Sequence, residues 1–324
     1  MEKPFLVTKV RDFVEKSADN GGKPLYEQTY EEARAVLKGL QNEKKGSFGT
    51  QVDEIDIEVN EEAKMPVKII RPQNPVGLTP VVFYIHGGGW VMGDYETHER
   101  LVKRLCEETG AAIVFPVYDP SPESQFPQTT DDLSAVLNYM ADNAAEYGFD
   151  IENLVLAGDS VGGNMAIAMA LTAKKNGNRP KIKFMLLLYP VTDAGFETES
   201  YNEFAEGPWL TRKAMHWFWN AYAPEKRDRN NILACPLLAK AEDLKGLPPA
   251  LVITDENDVL RDEGEDFARK LNDAGVEAVC VRFNGTIHDF MMLDVLKDSA
   301  PSRLAVLLAA AAVKEAVRAD DRRL

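Results

Sequence analysis

From residue 51 onward, short β-rich runs alternate with stretches of helical periodicity. Candidate strands occupy residues 51–59, 67–71, 81–86, 112–117, 154–157, 184–189, 250–255 and 278–283. Several of them, such as Val81-Val82-Phe83-Tyr84-Ile85 and Leu154-Val155-Leu156-Ala157, are unbroken apolar runs, the pattern of strands buried on both faces. Strands separated by helical segments predict an α/β chain, a mainly parallel eight-stranded sheet flanked by helices. No internal repeat or low-complexity linker interrupts residues 1–324, so a single domain is expected.

Two segments stand outside the alternation. Before residue 45, Thr29 and Glu32 have the spacing of a capping box, and Tyr30, Ala33, Leu37 and Leu40 recur at helical intervals. Between residues 196 and 236, Met215, Phe218, Trp219 and Tyr222 fall on one face of a second helix. That segment also holds Trp209, Trp217 and Trp219, three of the four tryptophans. A lid over a binding site and ordinary core packing both explain such a stripe.

Charge and cysteine content narrow the function classes. The formal charge of -15 repels phosphate backbones, so nucleic acid is not an expected partner. Cys106, Cys235 and Cys280 are odd in number, scattered and without CxxC spacing; they are expected to be reduced, buried thiols rather than a disulfide framework or zinc site. The N-terminal residues lack a signal-peptide apolar run, and no stretch is apolar for the roughly 18 residues of a membrane span. The longest apolar tract, 304–313, reads as a buried C-terminal helix. A cytoplasmic chain without a membrane partner is the expectation.

The chemistry concentrates in Gly158-Asp159-Ser160-Val161-Gly162-Gly163. An apolar strand leads into Gly-x-Ser-x-Gly and an Ala/Met-rich helix follows. A sharp strand-to-helix turn lifts a serine hydroxyl clear of the sheet, and glycines on both sides let the backbone pack that tightly. The following helix N-terminus supplies positive partial charge beside a developing oxyanion. Upstream, a strand ends in His86-Gly87-Gly88-Gly89-Trp90. Consecutive glycines expose backbone N–H groups to a substrate carbonyl; neither a Lys-Ser/Thr ending nor GxGxxG is present, as a phosphate loop requires. His86 is expected to shape this loop, whereas His98 and His216 read as surface or packing residues.

In α/β-hydrolases, which this strand–turn–helix motif resembles, an acid and then a histidine follow the serine along the chain. His288, in Asn284-Gly285-Thr286-Ile287-His288-Asp289-Phe290, follows the last candidate strand and is the expected base. Position leaves the acid open, because Asp255 and Asp258 both lie just past the preceding strand. In this arrangement serine attacks an acyl carbonyl, histidine relays its proton, and the acid holds the imidazole. No metal or cofactor is required. Protonation of His288 is expected to end activity in acid near the ordinary imidazole range of about 6–7.

With these motifs assembled, the chain resembles the hormone-sensitive-lipase-like esterases of the α/β-hydrolase fold. His86-Gly87-Gly88-Gly89, Gly158-Asp159-Ser160-Val161-Gly162-Gly163, Asp258-Val259-Leu260-Arg261-Asp262-Glu263-Gly264 and Ile287-His288-Asp289-Phe290 carry the likeness. The resemblance implies Ser160, Asp258 and His288 as the triad and the N–H groups of Gly88, Gly89 and Val161 as the oxyanion hole. It also implies a helical cap built from residues 1–45 and about 196–232, small short-acyl ester substrates and a possible homodimer. Trp90, Trp209 and Phe218 are candidates for substrate contact. Two departures stand out. Val161 replaces the usual alanine and is expected to narrow the acyl pocket, and Tyr118-Asp119-Pro120-Ser121-Pro122-Glu123 matches only at Tyr118, Pro122 and Glu123. Deacetylation of amides or sugars uses the same triad and is the alternative reading; a non-catalytic receptor predicts a damaged triad, and all three residues are present here.

Overall fold

The structure is a computed structural model that describes residues 4–19, 22–41, 48–75 and 77–318. Its strands are β1 (Thr50–Glu58), β2 (Lys64–Pro72), β3 (Thr79–Ile85), β4 (Ala112–Pro116), β5 (Phe149–Asp159), β6 (Phe184–Leu188), β7 (Ala250–Asn257) and β8 (Ala278–Ile287). The helices are α1 (Thr8–Asp19), α2 (Tyr30–Leu40), α3 (Tyr95–Thr109), α4 (Gln128–Asp142), α5 (Val161–Lys175), α6 (Glu199–Glu203), α7 (Arg212–Tyr222), α8 (Ala241–Leu244), α9 (Arg261–Asp273) and α10 (Ala300–Arg318). All eight strands form one sheet in the order β1-β2-β4-β3-β5-β6-β7-β8. β1 and β2 pair antiparallel with each other, as do β2 and β4; β4, β3, β5, β6, β7 and β8 are parallel neighbours. This is the mainly parallel eight-stranded sheet flanked by helices expected above.

Burial tracks the apolar runs. Every residue of β4 and β6 is buried, whereas the outermost strands β1 and β8 alternate between covered and exposed positions. Parallel pairing makes helical crossovers obligatory. Accordingly α3 joins β3 to β4, α5 joins β5 to β6, and α9 joins β7 to β8. α3 packs on α10 and α4 on α5. β5 is longer than its apolar core. Phe149 and Asp150 already pair with Thr79 and Pro80 ahead of a register shift, and the polar residues Glu152 and Asn153 hide that extension in the sequence pattern.

The two segments outside the alternation are helical. Thr29 caps α2 through a reciprocal capping box with Glu32, and Ala33 and Leu37 are buried beneath it. α7 buries Met215, Phe218, Trp219 and Tyr222. Two expectations need correction. α10 buries only one face, formed by Ala305, Val306, Ala309, Ala310 and Val313, while Leu304 and Leu307 are exposed. Cys106 and Cys235 are buried, but Cys280 is exposed on β8, the edge strand of the sheet. Among the described residues no helix is long and apolar enough to cross a membrane.

A buried arginine links helix to loop. Arg100 of α3 donates Nε to Asp294 (2.5 Å) and Nη2 to the carbonyls of Met291 (2.7 Å) and Met292 (2.8 Å). Gln41, at the end of α2, donates to the same Met292 carbonyl (2.9 Å) and accepts from Asp294 N–H (2.9 Å). Breaking a buried pair strands the remaining charge. Arg100→Met should therefore lower the unfolding free energy by about 3–5 kcal/mol. Urea titration checks this; a loss below about 1 kcal/mol, the range of a surface pair, would contradict it.

Candidate active site

The candidate residues converge because they follow parallel strands. The Gly87-Gly88-Gly89 loop leaves β3, Ser160 leaves β5, Asp258 leaves β7 and His288 leaves β8. Parallel strands put all these carboxyl ends on one edge of the sheet, where loops are free to meet. Residues far apart in the chain become neighbours there.

At Ser160 the backbone takes φ 54° and ψ -119°, a combination costly for any residue with a side chain. The surrounding packing holds it there. Ser160 N–H donates to Leu188 O (2.8 Å), and Val191 N–H donates to Ser160 O (3.1 Å). A Cβ at Gly162 would overlap the carbonyl of Ile85, and one at Gly158 would overlap the backbone of Gly162. The flanking glycines are thus a steric requirement of the turn. Asn164 of α5 secures the far side, donating to Val191 O (3.0 Å) and Ala234 O (2.8 Å).

The turn places Ser160 Oγ 2.9 Å from His288 Nε2, and His288 Nδ1 is 2.7 Å from Asp258 Oδ2. All three residues are buried. Position in the sequence left Asp255 and Asp258 open; Asp255 Oδ2 lies 4.0 Å from the same imidazole nitrogen. Burial alone would make His288 a weaker base, but Asp258 and Asp289 outweigh it and raise its pKa above 6.5. Asp255, Asp258 and His288 are also the described residues whose donor atoms cluster closely enough, within 4.8 Å, to face one metal ion. The nitrogen they offer is already hydrogen-bonded to Asp258.

The glycine loop is held by the residue next to Ser160. Asp159 accepts from Gly87 N–H (3.1 Å) and Tyr84 O–H (2.7 Å), and its other oxygen is 3.2 Å from His98 Nε2. His98 Nδ1 lies 3.2 Å from Asp94 O, so both ring nitrogens face acceptors. Burial works against charge on both partners, yet each stabilises the other's charged form: His98 is raised and Asp159 lowered. His98 is therefore a buried ion-pair partner rather than a surface or packing residue. The sequence missed it because the contact joins α3 to β5 with no local signature. His86 is pushed down to about 4 by burial and by His98, and its Nδ1 lies 2.8 Å from Gly87 O. His216 is exposed, its ring 3.9 Å from Phe196. Tyr118 stacks on His86 at 4.1 Å and donates to its carbonyl (2.9 Å). Glu123 pairs with Arg34 of α2 at 2.7 Å, so the divergent 118–123 loop keeps two anchoring contacts.

Above Ser160 lies a cavity of about 340 Å³. Gly88, Gly89, Ser160, His288 and Asp289 form its floor, Leu25, Val36, Leu37 and Leu40 one wall, and Trp209, Leu210, Ala214, Met215 and Phe218 another. Gly88 and Gly89 have positive φ, 111° and 65°, and a Cβ at Gly89 would overlap the Phe218 ring. Of the three candidate aromatics, Trp209 and Phe218 line the cavity and Trp90 does not. Trp90 turns inward instead, stacked on Tyr222 at 4.1 Å and edge-on to Trp219. Its φ of 60° lies in the left-handed region. Val161 is likewise fully buried and is not among the residues that line the cavity.

Asp289 is a further site residue that the sequence passed over. Its φ is 67°, a conformation that Asn and Asp tolerate better than most residues, which is the signal it carried. Its Oδ1 sits 3.6 Å from His288 Nε2, and its Oδ2 accepts from Trp209 Nε1 (3.1 Å). Burial raises its own pKa.

A family model described as the alpha/beta hydrolase fold matches residues 82–292. An esterase of known structure from Pseudomonas putida is 44% identical, with a TM-score of 0.94 over 98% of this chain and 99% of that one. Carboxylesterase NlhH of Mycobacterium tuberculosis is 34% identical over 81% of this chain and 82% of its own. An ethyl acetate hydrolase of Pseudomonas putida is 29% identical over 87% of each. The chain belongs to the α/β-hydrolase family, in its hormone-sensitive-lipase-like branch. It is a carboxylic ester hydrolase.

A base must be neutral to accept a proton, so activity disappears as pH falls through the base's pKa. With His288 raised, the acid limb of kcat/KM should lie above 6.5, the ordinary imidazole value. Asp289→Asn removes one of the raising carboxylates and should move the limb down. Profiles of the two proteins over pH 5–10 test both points; a native limb at or below 6.5, or one unmoved in the variant, would refute them.

Proposed function

We propose that this enzyme hydrolyses small, short-acyl carboxylic esters through an acyl-enzyme. The single observation carrying the reading is the continuous hydrogen-bonded chain Ser160–His288–Asp258 opening into an apolar cavity. Ser160 attacks the ester carbonyl while His288 Nε2 takes the hydroxyl proton. Asp258 keeps the proton on Nδ1 and stabilises the imidazolium. The oxyanion falls to backbone donors: Gly88 and Gly89 N–H, and Val161 N–H at the first position of α5, where a helix has no internal partner to offer. His288 then returns the proton to the leaving alcohol, and water repeats the sequence to release the acid.

The size and lining of the cavity support the substrate class. At about 340 Å³ it sits near the lower end of ligand pockets, roughly 300–1,000 Å³, and its walls are mostly aliphatic and aromatic. The similarity to an ethyl acetate hydrolase points the same way. On this reading α1, α2 and the segment 196–232 act as a cap on one catalytic domain, supported by the walls that α2 and α7 contribute. The proposed cap boundary at 45, like residues 1–3, falls outside the described residues.

Initial rates on nitrophenyl esters from acetyl to long acyl chains, with Ser160→Ala alongside, test the proposal. Turnover should peak at the short chains, and the variant should lose about 10⁴–10⁶ in kcat. Near-native turnover of Ser160→Ala, or a peak at long chains, would overturn it.

A further inference from the structure

Asp255 is the unexplained acid of the site. It is fully buried at the end of β7, and neither carboxyl oxygen has a hydrogen-bond partner among the described residues. Buried polar groups are almost always paired, so an orphan beside reacting groups calls for a reason. The strand geometry aims it deliberately. Residues three apart on a regular strand point to opposite faces, but β7 has a register shift between Asp255 and Asn257. An irregularity of this kind re-aims side chains, and here it turns Asp255 and Asp258 towards the same imidazole nitrogen. Asp258 Oδ2 is 2.7 Å from His288 Nδ1 and Asp255 Oδ2 is 4.0 Å from it.

We infer that Asp255 is a reserve acid of the triad, a positioning residue able to take over the Nδ1–H of His288 when Asp258 loses its charge. The inference rests on the triad proposed above. Burial, and then the nearby Asp258 carboxylate, raise the pKa of Asp255 well above the ordinary range, so Asp255 carries its proton while Asp258 is charged. The other groups facing it are His288 and Asp289 beyond β8 and Tyr189 beyond β6. Neutralising Asp258 removes the repulsion. Burial still favours the protonated acid, but the facing His288 then favours its charged form; on release of that proton to solvent, closing from 4.0 Å to about 2.8 Å makes a charge-assisted hydrogen bond. No bond other than that O–H is broken, and no co-reactant is needed.

The test compares Asp258→Asn with Asp258→Asn/Asp255→Asn in the full chain. Loss of the acid from a triad that lacks a substitute costs about 10⁴ in kcat. With the reserve in place, Asp258→Asn should lose only on the order of 10–10² and the double variant the full 10⁴ or so. Equal residual activities in the two would overturn the inference while leaving the triad standing. Undiminished activity in Asp258→Asn would overturn both, and Ser160→Ala shows separately whether the serine reading survives. The second readout is the far-downfield proton resonance of a hydrogen-bonded imidazole N–H. It should persist in Asp258→Asn, even if the double variant does not fold, and its disappearance there would count against Asp255.

Discussion

The backbone at Ser160 is the constraint on which the site depends. A residue with a side chain at φ 54° and ψ -119° does not stay there unaided. It is held because β5 must turn into α5 within the space left by Ile85 and Leu188 on the neighbouring strands. That confinement explains why the flanking positions are glycine and why the hydroxyl stands free of the sheet. It also fixes Asp159 one residue earlier. Because Asp159 bonds Gly87 N–H, the nucleophile turn and the glycine loop form one rigid unit. The positions of the hydroxyl and of the carbonyl-binding loop are therefore set together rather than tuned independently.

Beneath this unit lies a buried electrostatic arrangement in which each charge has a counterpart. His98 faces Asp159, Asp258 faces His288, and Arg100 faces Asp294. Each pair connects elements distant in sequence, so each acts as a tie between strand ends and helices. Buried charges are expensive unless paired, and pairing at these points also removes rotational freedom from the groups that must meet substrate. Asp289 sits among them with a raised pKa, bonded to Trp209 from the segment that walls the cavity. The imidazole is thereby coupled to the wall above it.

Much of this was legible in the chain itself. Continuous apolar runs revealed the central strands, because strands buried on both faces carry no alternation. The glycines around Ser160 announced the turn, because the turn admits nothing larger. The positions of His288 and of two candidate acids followed from chain order. What stayed hidden depends on contacts between distant elements. Trp90 looked like a cavity residue from its place beside the glycines, but it lies in the core against Tyr222. His98 looked ordinary because its partner lies two strands away in sequence. Asp255 and Asp258 could not be ordered by position, since a single irregularity in β7 decides where each carboxyl points.

The meeting of Gln41 and Arg100 on the Met292 carbonyl has a practical side. The loop that carries His288 onward to Met292 is fastened from beneath by α3 and from above by the end of α2. The N-terminal segment is tied to the rest of the molecule by several polar contacts, among them Arg34 to Val91 O, Ser121 O and Glu123, Lys38 to Asp94, Val7 N–H to Gly285 O and Asn257 to Phe5 O. The helix that walls the cavity and the loop that carries the base therefore share one fastening, so a change that loosens the end of α2 also frees the chain just past His288.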